Sequence, residues 1–267
     1  MTSPGSWSDE APLLLVLDGS GDRLRLLLAR EDGEGPSLLC AQTWAVAGQS
    51  ARFLAPALEH ALALFGRRAS DIRRIACLRG PGGFTGIRLV LALAEGLAAA
   101  TGALRAGLDV LPLLAVGPAD LGPGSVLPLT WSRKGQVYAQ AFSAPGPAPL
   151  TEPAALPLEA VLDLCGRLPA PLTLLGNGLQ RNLSFFREHL ADRTDVRLLG
   201  PDWDQPGAET LLRTAARAEY ADRPVRPLYL RASDAEDNLP EFARARGLDP
   251  DEARGLLQPC TSLKTTS

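Results

Sequence analysis

Lysine is almost missing from this chain. Lys134 and Lys264 are the only two, and the other 25 of its 27 basic residues are arginines. The arginines are scattered, which reads as biased composition before it reads as phosphate recognition. With 30 acidic residues the formal charge is −3. No global field draws in a polyanion, so the chain is not marked as a stand-alone nucleic-acid binder, and only a local basic patch stays open. Histidine is as scarce. Neither His60 nor His189 has the neighbours that would make a zincin-type motif, which counts against a metal centre. Cys40, Cys77, Cys165 and Cys260 form no C-x-x-C pair, so zinc-knuckle and dithiol chemistry are set aside and a reducing cytoplasm is the expected location. There is no G-x-S-x-G elbow and no Walker A loop. Long apolar runs are lacking too. Residues 13–17 are far too few for a signal peptide or a membrane span, and the Leu/Ala-rich stretch 89–100 is broken by Glu95 and Gly96, so no membrane role is expected.

What is present suits a folded α/β protein. Hydrophobic residues make up 46% and charged residues 21% of 267, room for two lobes of ordinary domain size. The apolar runs 13–17 and 24–29 predict a hairpin, 38–43 a third strand, and the spacing of Phe53, Leu54, Ala57, Leu58, Ala61 and Leu62 a helix over 50–65 with Ser50 as N-cap. A buried strand over 74–79, a glycine-rich turn over 80–86 and a helix over 87–101 closed by Gly102 follow. A first lobe over 1–110 then gives way to a second over 111–231. That lobe is read as a hairpin of 126–130 and 136–142, a Pro/Ala-rich loop over 144–157, helices over 158–167, 179–190 and 208–220, and strands over 172–175 and 196–199. Residues 227–231 read as a short strand or an extended return to the first lobe. The tail, 232–267, carries a helix start at Asp249-Pro250-Asp251-Glu252.

The feature with most chemical content is the strand–turn–helix of Gly80, Pro81, Gly82, Gly83, Phe84, Thr85, Gly86 and Arg88. Glycines let backbone N–H groups approach a phosphate at a helix N-terminus, and they equally allow a tight packing turn; both readings stand. Asp18, ending the first strand, is either a carboxylate facing a ligand crevice or a turn-former bonded to its own backbone. The small residues Ala92, Ala94, Gly96, Ala98, Ala99 and Ala100 let another helix come close, within the lobe or from a partner.

Residues 79–88, Arg-Gly-Pro-Gly-Gly-Phe-Thr-Gly-Ile-Arg, resemble the Arg-Gly-Pro-Gly-Ser-Phe-Thr-Gly-x-Arg signature of the TsaB family, also known as YeaZ, with Gly83 in place of serine. Residues 93–98 are similar to that family's small-residue helix. The likeness extends over most of 13–231, through Asp18-Gly19-Ser20 for Asp-Thr-Ser and Arg133-x-Gly135-x-Val137-Tyr138 after the second hairpin's first strand. Gly19, Gln49 and Trp131 depart from the Thr, His and Asp usual there.

The resemblance implies a two-lobed actin/Hsp70/sugar-kinase-like (ASKHA) α/β fold and a non-catalytic dimerisation subunit. In that reading, Arg52, Phe53, Leu89, Ala92, Leu93, Gly96 and Ala99 form the surface that pairs with a TsaD-like catalytic subunit or with a second copy. A TsaE-like P-loop ATPase is implied as a further partner and tRNA only through the complex. No cofactor or metal is assigned to this chain, with ATP or ADP placed at the complex interface. The alternative is an ATP-dependent kinase of the same fold, with Asp18 and the Gly80–Gly86 turn around phosphates. A peptidase has no visible nucleophile to support it.

Overall fold

The computed structural model describes residues 11–32, 35–46, 50–231, 243, 244, 246 and 249, and the chain divides into two units, Met1–Leu230 and Arg231–Ser267. In the first unit, β1 (Leu13–Asp18), β2 (Leu24–Asp32), β3 (Gly35–Trp44), β4 (Ile72–Gly80) and β5 (Leu104–Asp109) form a sheet in the order β3-β2-β1-β4-β5. Its first two pairings are antiparallel and its last two parallel. A second sheet holds β6 (Gly124–Arg133), β7 (Gln136–Ala139), β8 (Phe142–Ala144), β9 (Ala154–Pro157), β10 (Leu172–Leu175) and β11 (Val196–Leu198). It runs β11-β10-β6-β7-β9, with β8 also paired to β6. Taken from β9, it repeats the first sheet: two antiparallel steps, then two parallel ones, with β6 in the place of β1. The fold is α/β with one topology used twice.

Burial explains the register. β1 is apolar at every position before Asp18 because both its faces are covered. Leu13, Leu15 and Leu17 join one core with α1 (Ser50–Leu64) and α2 (Phe84–Thr101), while Leu14 and Val16 join another on the opposite face. That second core is shared between the sheets. It contains α3 (Val110–Ala119), Leu211, Leu212 and Ala215 of α7 (Ala208–Ala216), and Val126, Tyr138, Phe142 and Leu175 of the second sheet. A third core lies between the second sheet and α4 (Leu158–Arg167), α5 (Asn177–Arg181) and α6 (Leu183–His189), centred on the fully buried Phe186.

α4 and β10 have the bounds the pattern predicts. Elsewhere the structure differs for identifiable reasons. α2 starts at Phe84, so Phe84, Thr85 and Gly86 belong to its first turn and Gly83 is its N-cap. β5 escapes the apolar pattern because its buried Arg105 is neutralised by partners distant in sequence. α3 is apolar all round, with Gly117 and Pro118 near its end, so it has no amphipathic period to detect. Residues 136–142 split into β7 and β8, and β9 lies inside the expected loop. Residues 179–190 are two helices meeting at Asn182, whose amide donates to the Gly178 carbonyl at 2.8 Å. α7 stops at Ala216, and the Tyr220 hydroxyl donates back to the Ala215 carbonyl.

By length and composition alone α2 could cross a membrane, with 18 residues and mean hydropathy 1.4. In the structure Ile87, Val90, Leu91 and Ala94 are buried in the core it shares with β4, Ala98 is buried as well, and Glu95 is ion-paired to Arg105. In the second unit the Arg246 amide donates to the Ala243 carbonyl at 3.0 Å. The expected helix start over 249–252 lies outside the described residues apart from Asp249.

Candidate functional site

The glycine-rich turn makes its close approach to the chain itself. The Gly83 N–H donates to the Ser20 carbonyl at 2.8 Å. A Cβ at Gly82 would run into that same carbonyl, and Gly86 and Gly19 are so close that a Cβ on either would strike the other's carbonyl oxygen. Gly80 lies under the 227–230 segment, where the Leu228 N–H donates to the Arg79 carbonyl at 2.8 Å. Pro81 is buried and Thr85 exposed. Over the first turn of α2, Tyr229 stacks on Phe84 with ring centroids 4.6 Å apart and accepts a 2.9 Å hydrogen bond from Arg88 Nε. The 227–230 segment therefore returns over the turn without forming a strand.

Asp18 is buried, and its Oδ1 accepts from the Ser20 N–H at 2.9 Å and the Ser20 hydroxyl at 2.7 Å. Its Oδ2 lies 3.9 Å from Arg25 Nη1, and Arg25 also donates to the Pro206 carbonyl at 2.6 Å. Burial pulls the Arg25 guanidinium below its ordinary pKa, and Asp18 opposes that shift. Asp18 is a turn-forming carboxylate that neutralises a buried arginine. Around it, Asp22 pairs with Arg181 at 2.6 Å and Arg23 with Asp204 at 2.9 Å. These pairs join the β1–β2 turn to the region of α5 and to residues 204–206. Sequence reasoning missed all of them, because partners 159 and 181 positions apart leave no local signature.

Replacing Asp18 with Asn leaves Arg25 buried beside a neutral amide. We expect a loss of about 3 kcal/mol, the lower end for breaking a buried pair, measured by urea unfolding; a variant as stable as the parent would mean that Arg25 is solvated.

The described histidines and buried cysteines sit in inert surroundings. His189 is stacked on Phe185 with centroids 4.3 Å apart, and His60 is exposed on α1. Burial pushes the Cys77 thiol far up and the Cys165 thiol up to about 11, so both stay protonated and poorly nucleophilic. Among the described residues no three His, Cys, Asp or Glu side chains cluster as metal ligands.

The other candidate surface is the outer side of α1 and α2. Ala92, Gly96 and Ala99 are exposed, and Leu89 and Leu93 are half-buried beside them. These positions fall on one stripe of α2. On α1, Arg52 is exposed and Phe53 is half-buried against the same core. Among the described residues nothing beyond the helix's own backbone lies within 4 Å of where a Gly96 Cβ would be. Ala94 and Ala98, small residues of the same helix, face inward instead.

Residues 45–146 match the family described as TsaD: tRNA N6-adenosine threonylcarbamoyltransferase. The fold is that of a Pseudomonas aeruginosa protein described as similar to peptidase YeaZ, with 25% identity, a TM-score of 0.63, and coverage of 82% of this chain and 100% of that one. YeaZ from Pseudomonas aeruginosa aligns over the same shares at 23% identity and a TM-score of 0.61. No curated protein matches the chain. The chain resembles the TsaB (YeaZ) family in its fold and in the motif of residues 79–88. Its two-sheet architecture is accordingly of the ASKHA type.

Of the departures from the TsaB pattern, packing explains Gly19. Gly19 stands where threonine is usual because the carbonyl of Gly86 occupies the space a Cβ needs. At Gly83 a Cβ would be 3.7 Å from the Ser20 carbonyl, an ordinary contact, so the missing serine is not enforced by packing. Trp131 lies under the Arg181 guanidinium, 4.8 Å from ring centroid to Cζ, while its backbone N–H donates to Asn177 Oδ1 at 2.8 Å. Gln49 lies outside the described residues.

Proposed function

We propose that this TsaB-like protein is a non-catalytic scaffold subunit in the cytoplasm, docking a TsaD-like catalytic subunit through α1 and α2 for the threonylcarbamoylation of a tRNA adenosine. The observation that carries this reading is the outward stripe of α2. Leu89, Ala92, Leu93, Gly96 and Ala99 offer small or apolar groups with open space above Gly96, which suits close helix packing by another chain. A second copy would fit the same face, giving a homodimer when the catalytic subunit is absent. tRNA, a TsaE-like ATPase and any ATP or ADP then belong to the assembled complex.

The kinase alternative needs room for phosphates between Asp18 and the glycine-rich turn. That room is taken by the Ser20 carbonyl and the Gly19–Gly86 contact, and Asp18 is committed to Ser20 and Arg25. Light scattering on the chain alone and mixed with a TsaD-like protein from the same source tests the scaffold reading. A stoichiometric complex is expected. A chain that ignores this partner and yet binds ATP on its own would overturn the reading in favour of a kinase.

A further inference from the structure

Past the end of α7, residues 217–226 turn back along β5, where Arg105 and Ala221 exchange backbone hydrogen bonds of 3.0 Å in both directions. Between this segment, α7 and β5 lies a cavity of 1340 Å³. Among the described residues six arginines line it, Arg79, Arg105, Arg213, Arg217, Arg223 and Arg226, against a single carboxylate, Glu219. Such a concentration is unlike the rest of a chain whose formal charge is −3.

The arginines divide into two groups. Arg79 is held by Asp109 at 2.6 Å, and Arg105 by Glu95 at 2.7 Å and Asp222 at 2.5 Å. These pairs fix the floor. Arg105 is buried, and its Nε has no hydrogen-bond partner. At the rim, Arg213 and Glu209 are exposed and 4.0 Å apart, a weak pairing. Arg217, Arg223 and Arg226 are exposed and form no ion pair or side-chain hydrogen bond with any described residue. Three guanidinium groups with no partner among the described residues, all lining one cavity, leave planar donors suited to bidentate contact with phosphate oxygens.

The cavity offers phosphate contacts without a platform for bases. Its one aromatic, Tyr220, lies beneath the Arg74 guanidinium at 4.8 Å, with its hydroxyl tied to the Ala215 carbonyl. The volume exceeds the range of roughly 300–1,000 Å³ usual for small-ligand sites, which fits an extended anion better than a single phosphate. We propose that this cavity binds a multiply charged phosphate ligand, either a free polyphosphate such as the phosphate chain of a nucleotide or the phosphodiester backbone of RNA. The inference does not rest on the scaffold reading, because it concerns the isolated chain.

Two titrations of the full chain test it: calorimetry with inorganic tripolyphosphate and fluorescence anisotropy with an unmodified RNA stem–loop. Saturable binding of the first supports a free phosphate ligand, and of the second the RNA backbone. With three phosphates neutralised, raising salt from 50 to 200 mM should weaken the RNA complex roughly twentyfold to fortyfold. Arg217→Ser combined with Arg223→Ser is expected to raise the Kd of the binding probe at least about tenfold without moving Tm, because both side chains are exposed. Arg187→Ser, an exposed arginine of α6, should change nothing. Failure of both probes to bind, or equal binding by the double variant, would overturn the proposal.

Discussion

Replacing Gly96 with arginine is expected to abolish association with the TsaD-like partner while leaving the fold intact or firmer. A glycine inside a helix is less favourable than a straight-chain residue by up to about 1 kcal/mol, and the space where its Cβ would go is open. The isolated chain should therefore melt at the same temperature or slightly higher. In the proposed complex, a guanidinium would stand where Ala92, Gly96 and Ala99 are proposed to receive a partner helix. It would hold the two helices apart or be buried unpaired, weakening association at least about 100-fold. Light scattering and calorimetry on the same preparation read both effects. Full-affinity binding by this variant would remove α2 from the interface and with it the structural basis for the scaffold role. Ala94→Arg is a poor substitute for this test: Ala94 is fully buried, so a charge there attacks the core.

The second large effect is predicted for a single methyl group. Gly86→Ala should lower stability by about 3 kcal/mol, at the upper end for overpacking, because the added carbon meets the Gly19 carbonyl and not a side chain that can swing aside. For a chain of this size that corresponds to a fall in Tm of roughly 6–12 °C. Gly19→Thr, which restores the usual TsaB residue, should be as damaging for the same reason. Gly83→Ala, three positions from Gly86 in the same turn, should stay within about 1 kcal/mol of the parent, since its nearest neighbour is at 3.7 Å. Equal melting temperatures for the 83 and 86 variants would show that the β1–β2 turn yields easily.

Much of this was legible in the sequence, and the limits follow from physics. β1 could be read because a strand buried on both faces is apolar at every position, and α4 because its buried Leu158, Val161, Leu164 and Cys165 recur at helical spacing. α3 could not, because a helix apolar on every side has no period. β5 could not either, because its buried charge is balanced by Glu95 and Asp222, ten and more than a hundred residues away. At the site, the glycine pattern identified a turn where backbone comes close to something. Whether that something was a phosphate or the chain itself depended on Ser20 and Gly19, whose place opposite the turn is set by the parallel pairing of β1 and β4. On α2 the small residues alone gave only a group; the resemblance separated Ala92, Gly96 and Ala99, which turn out, from Ala94 and Ala98, which turn in.

The core that joins the two sheets also sets an order of events during synthesis. Leu14 and Val16 leave the ribosome early, but Leu211, Leu212 and Ala215, which cover part of the same face, follow about two hundred residues later. At about 5–20 residues per second, that apolar face waits some tens of seconds for its last cover. The N-terminal half of the chain, produced without its C-terminal half, would be a sticky fragment and not a small folded domain. A nascent chain of this protein is therefore a natural client for whatever shields apolar surface beside the ribosome exit.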